Sequence, residues 1–154
     1  MVFYDAGRMS IASRGLQSPA GISAAPDYQF IYISEMLARR LDTFVGDPFT
    51  GELTKRNELA IPTMLDNIDV DSDGFVWVAG HPKGLPRSAH ALSPSEIWKV
   101  QILHGIPISA RRFYANLGDQ ISAASVGAKQ GEHIYIGSVT DTKVLDCTLP
   151  PGTT

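Results

Sequence analysis

The chain has 154 residues, enough for one ordinary domain, and its 44% apolar and 19% charged content is globular rather than disordered. A net charge of −3 gives no basis for nucleic-acid partners, and no apolar run is long enough to span a bilayer. Fourteen glycines and ten prolines favour short strands and turns over long helices, and a single cysteine, Cys147, excludes a disulfide within the chain.

The N-terminal MVFYDAGRMS lacks the basic region and apolar core of a secretory signal, and MVFY reads as a strand that starts at once. Three segments then share one layout: GISAAPDYQFIYISE (residues 21–35), NIDVDSDGFVWVAG (67–80) and ISAASVGAKQGEHIYIGS (121–138). Each has a short strand of small residues, a polar turn, and an apolar strand with an aromatic at its middle. Tyr32, Trp77 and Tyr135 superpose, giving repeats of about 45 and then about 58 residues, a spacing expected of propeller blades with loop insertions.

A further strand-like run follows each pair: RRLDTFVG, SEIWKVQIL and TKVLDCTL. ELTKRNELAI and ARRFYAN fill the outer positions. EMLARRL could form a helical turn, but a strand follows too closely for one to develop. The pattern predicts an all-β chain, a β-propeller portion of about three four-stranded blades over residues 1–150, followed by a tail at 151–154. Three blades that do not close a ring leave blade faces and strand edges open, which predicts self-association.

DVDSDG in the second repeat has the opening of a calcium-binding EF-hand loop. Such a loop needs a bidentate acid at its twelfth position; counted from Asp69 that position is Gly80, and VWVA lies between in strand pattern. Asp71-Ser72-Asp73-Gly74 is instead predicted to be a tight turn, with Gly74 at positive φ and aspartates capping amides. Asp66 and Asn67, just ahead, pair a carboxylate with an amide carbonyl, two hard oxygens of the kind calcium takes; by themselves they also suit an ordinary turn. No G-x-S-x-G is present for a serine-hydrolase elbow. His90, His104 and His133 lack metal-ligand spacing and read as loop or surface residues, so zinc is unsupported.

LDNIDVDSDGFVWVAGHPKG, with SPAGISAAPDYQFIYISEMLARRL before it and IYIGSVTDTKVLDCTL at the end, resembles the serum paraoxonase/arylesterase family of calcium-dependent six-bladed propellers. The resemblance implies hydrolysis of lactones and aryl esters, with a Ca2+ cofactor polarising the ester carbonyl. It implies Asp66 and Asn67 as calcium ligands and His81 at the substrate-facing rim, where a plain loop residue is the alternative. Ala20 stands where that family has a ligating asparagine, so one ligand is missing unless water or Gln17 replaces it. The family's histidine dyad and remaining ligands belong to an N-terminal half without counterpart here, and Cys147 matches a cysteine whose partner lies in that half. The chain is therefore expected to be a fragment, a truncated product or a degenerate relative. Two other functions stay open: a non-catalytic propeller module, and a gluconolactonase-like or strictosidine-synthase-like activity.

Overall fold

The computed structural model describes residues 2–5, 7–85, 88 and 91–149. His90 and the 151–154 tail fall outside them. Among the described residues there are thirteen strands, and no helix is long and apolar enough to cross a membrane.

The first two strands, β1 (Val2–Asp5) and β2 (Arg8–Ile11), form a two-stranded antiparallel sheet. Then come three meanders in which each strand pairs with the next in sequence. The first contains β3 (Pro19–Ala24), β4 (Ile31–Glu35), β5 (Arg40–Gly46) and β6 (Leu53–Ala60). The second contains β7 (Met64–Val70), β8 (Val76–His81), β9 (Ser95–Leu103) and β10 (Ile106–Asn116). The third contains β11 (Ala124–Gln130), β12 (His133–Ser138) and β13 (Leu145–Thr148).

The all-β propeller blades expected from the repeats are therefore present, with one difference. Among the described residues the first two meanders have four strands each and the third has three. The EMLARRL stretch is a turn at 36–39 leading directly into β5. The outer positions are taken by β6 and β10, as their less regular apolar pattern implied.

Local chemistry accounts for the turns. Asp71 Oδ1 accepts from the amides of Asp73 (3.0 Å) and Phe75 (2.9 Å), and Gly74 sits at φ 82°. The β9–β10 turn is His104-Gly105 with both φ positive (51° and 78°), the handedness that matches strand twist in a two-residue hairpin.

Two apolar layers hold the sheets together. Tyr32, Leu41, Leu65, Val78 and Val100 fill the space between the first and second meanders. Trp77, Ile97, Ile121, Ile134 and Ile136 fill that between the second and third. The repeated aromatic explains the series: Tyr32 and Trp77 each face the next sheet and are 1% exposed, whereas Tyr135 has no following sheet among the described residues and is 38% exposed. The innermost strands are neighbours, β3 packing on β7 and β7 on β11.

Candidate functional site

The innermost strand of every blade carries a bulge at the same place. In β7 the pairing jumps from Leu65↔Gly80 to Ile68↔Val78, so Asp66 and Asn67 together oppose one residue of β8. In β3 the jump spans Pro19 to Gly21, and in β11 it spans Ala124 to Val126. A bulge redirects side chains that strict alternation would bury or expose in turn. Asp66, Ala20 and Ser125 fall inside these three bulges, so the chain offers a carboxylate, a methyl and a hydroxyl at matching points.

Asp66 is nearly buried and Asn67 is exposed. Asp66 Oδ2 lies 3.0 Å from His81 Nε2, and His81, the last residue of β8, is fully buried. The Asp66 carbonyl accepts from Ser34 Oγ at 2.6 Å, and Ser34 Oγ in turn accepts from the Gly21 amide at 2.8 Å. That chain of bonds ties the β7 bulge to the β3 bulge. Gly21 makes the approach possible: a Cβ there would lie 2.7 Å from the Ile68 nitrogen and 2.8 Å from the Asn67 Cα. Gly80, beside His81, likewise leaves room for the Thr63 side chain, which a Cβ would meet at 2.5 Å.

The structure places His81 neither at an exposed rim nor in a loop: it is buried at the end of β8 against Asp66. Asp66 and Asn67 are adjacent in the bulge, and His81 holds the Asp66 carboxylate from behind. Among the described residues His81 Nδ1 has no hydrogen-bond partner, and the ring's hydrogen bond there is the one with Asp66. Gln17 is exposed, and its backbone amide donates to Glu35 Oε2. Sequence reasoning missed Ser34, Gly21 and Ser125. The first two act through backbone proximity between strands 30 or more residues apart, and the third through a bulge; neither leaves a motif.

The donor chemistry suits a hard cation. A carboxylate and an amide carbonyl at one bulge match calcium's preference for oxygen, but calcium takes six to eight such ligands. Two are supplied here, Ser125 is a third oxygen at a matching bulge, and no group of three His, Cys, Asp or Glu residues among the described ones could enclose a metal.

Pro19, Ala20, Gly21, Ile22 and Ile33 line an apolar cavity of about 180 Å³. Ile22 and Ile33 pair with each other and alternate with Gly21, Tyr32 and Ser34, which face the second meander, so this cavity opens on the other face of the first one.

Comparison with known proteins adds the following. The arylesterase family profile matches residues 1–149. Human serum paraoxonase/arylesterase 2 is 28% identical over 156 residues, covering 97% of this chain and 43% of the relative. Human serum paraoxonase/arylesterase 1 is 27% identical over 153 residues, covering 97% and 42%. The chain thus spans about two fifths of the length of these relatives. Among solved structures, a candidate 6-phosphogluconolactonase from Bacteroides uniformis aligns with a TM-score of 0.58 at 13% identity, over 88% of this chain and 38% of that one. That likeness concerns the fold alone.

Proposed function

The chain belongs to the arylesterase family, and on that premise we propose that it forms the Asp66–Asn67 side of a calcium-dependent site that hydrolyses lactones and aryl esters. The observation that carries this reading is the β7 bulge. It presents a carboxylate and an amide together at the innermost strand, with the carboxylate fixed by His81, in a chain of this family.

A calcium ion bound there supplies positive charge that polarises the ester carbonyl. The residues of this chain do the rest of what is proposed. His81 engages Oδ2 of Asp66, which leaves Oδ1 as the oxygen for the cation and restrains the carboxylate's orientation, the usual task of a group behind a ligand. Asn67 contributes its carbonyl from the exposed side.

Hydrolysis of an acyl-homoserine lactone and of phenyl acetate, measured with calcium and then with a chelator, tests the proposal. Activity that falls at least tenfold on chelation and in Asp66→Ala is the expected result. Hydrolysis indifferent to both changes would sink the assignment of Asp66 to a calcium site.

Ala20 favours a second reading, a non-catalytic member of the fold. At the β3 bulge it offers no oxygen, and calcium affinity falls with ligand count. In that case terbium luminescence, used as a calcium probe, would show no saturable binding, and neither substrate would turn over. A sugar lactone added to the panel separates the gluconolactonase-like alternative.

A further inference from the structure

The second meander carries a cavity of about 270 Å³ at the end of the sheet where β8 finishes. Pro82, Pro94, Ala115 and Leu117 give it apolar walls, and Lys83, Glu96 and Arg112 are the charged residues of its lining. Strand alternation sets it apart from the Asp66 contact. Glu96 shares a face with Trp98 and Val100, toward the first meander, whereas His81 follows Trp77 and Ala79 on the face toward the third.

Glu96 is 4% exposed, and both its oxygens are committed, Oε1 to Arg112 Nη1 at 2.9 Å and Oε2 to the Trp98 indole at 3.0 Å. A buried carboxylate needs such partners, and this one also fixes the guanidinium that neutralises it. The Arg112 side chain remains 56% exposed, and its bond to Glu96 through Nη1 leaves Nε and Nη2 for a further acceptor. Lys83, exposed just beyond β8, adds a second cation. The lining thus sets two cations against one acid whose oxygens are already in use. The apolar walls are held in place as well. Asn116 Oδ1 accepts from the Gly118 amide, and Gly118, at φ 105°, lies so close to Ser93 that a Cβ would be 2.9 Å from the Ser93 carbonyl oxygen. That contact keeps Leu117, 76% exposed, beside Pro94.

We propose that this cavity binds a small monocarboxylate with an apolar body, its carboxylate on Arg112 and Lys83 and its hydrocarbon against the prolines, Ala115 and Leu117. A guanidinium edge suits the two oxygens of a carboxylate, and apolar walls with a few fixed polar groups suit a small molecule. Acids of this kind are what ester and lactone hydrolysis releases, so under the proposed hydrolytic function the cavity is a product site. That last step alone rests on the hydrolytic reading; binding involves neither Asp66 nor calcium and is measured without turnover.

The test is an NMR titration of the full chain with sodium hexanoate at constant ionic strength, beside sodium acetate and hexanol. Saturable shifts centred on Lys83, Arg112 and Leu117 are expected with hexanoate. Affinity should be roughly tenfold lower for acetate, which lacks the hydrocarbon, and for hexanol, which lacks the charge. Lys83→Gln and Leu117→Ser alter exposed side chains, and Arg112→Lys keeps a cation beside Glu96 while removing the fork; each spectrum reports whether the fold is kept. Each variant is expected to weaken hexanoate binding, Arg112→Lys by roughly tenfold. Linear shifts, saturable shifts elsewhere, acetate or hexanol bound as tightly as hexanoate, or unchanged affinity in Lys83→Gln or Arg112→Lys would overturn the site. Saturable binding by a chain that hydrolyses no ester would uphold the site and remove only its product role.

Discussion

Asp42 on β5 is fully buried between two cations and a second carboxylate. Its oxygens lie 3.2 Å from Arg40 Nε and 2.9 Å from Lys55 Nζ, and Arg40 also reaches Glu35 Oε1 at 2.6 Å. Burial, first, and the hydrogen bond with Glu35 push the Asp42 carboxyl up to about 6, against the pull of Lys55 and Arg40. Burial pushes Glu35 up as well, but hydrogen bonds with Asp42, the Gln17 amide and Arg40 outweigh it and hold Glu35 below its usual range. Asp42 thus takes up its proton at a higher pH than Glu35 does. A carboxyl raised in the folded state stabilises fully below its unfolded value near 4, and this contribution is lost as pH rises through about 6. Glu35 works in the opposite sense, losing its contribution as pH falls below the usual carboxylate range. Stability from the pair therefore peaks near the ordinary carboxylate value, about pH 4, and declines from there to about pH 6. Asp42→Asn is expected to remove the upper limb, so urea unfolding should show wild type losing on the order of 2 kcal/mol relative to the variant between pH 4.5 and 7.5. Parallel curves would refute the raised Asp42 carboxyl. At the other site, Asp66→Ala removes the hydrogen bond of the buried His81 ring with Asp66, a cost of about 1–3 kcal/mol measurable in the same way.

Turn and bulge differ in how they can be read and in how they fail. The Asp71–Gly74 turn is local: one side chain accepts from two amides and the Trp77 indole, all within six residues. Asp71→Ala should cost about 2–4 kcal/mol by orphaning those donors, and Gly74→Ala about 1 kcal/mol through its positive φ. The β7 bulge is not local. Its position depends on β3 lying close enough that Gly21 touches the backbone of Asn67 and Ile68. Gly21→Ala must move backbone, not a flexible side chain, and is expected to destabilise by roughly 2 kcal/mol or more. It should also weaken any cation binding at Asp66 while leaving the Asp71 turn intact. Retained terbium affinity in Gly21→Ala would separate the bulge from the site.

For the whole molecule, the stacking of sheets sets the behaviour in solution. Two apolar layers lie between three meanders, and the outer face of the third carries Tyr135, stacked on His133 at 5.9 Å, beside an Asp146 that pairs with His133. Among the described residues β13 is the edge strand of that sheet, with Cys147 half-buried and not in a disulfide. Open edges and partly apolar faces recruit further strands. We propose self-association through this face. Sedimentation velocity over a roughly hundredfold concentration range should show concentration-dependent growth in size, reduced by Tyr135→Lys. A monodisperse monomer throughout would refute it.

The sequence by itself determined the repeat, the strand pairs, the rejection of an EF-hand and the family resemblance. These follow from period-two patterning, turn chemistry and short motifs, all carried by residues close together along the chain. It also singled out Asp66, Asn67 and His81, but not how they meet. Only the tertiary structure decided that His81 is buried behind Asp66, and that Ser34 and Gly21 brace the bulge from the neighbouring blade. It likewise decided that Arg112 meets the buried Glu96 across two strands. The physical reason is that strand register and blade-to-blade approach join residues far apart in sequence, and one bulge reassigns which face a side chain takes.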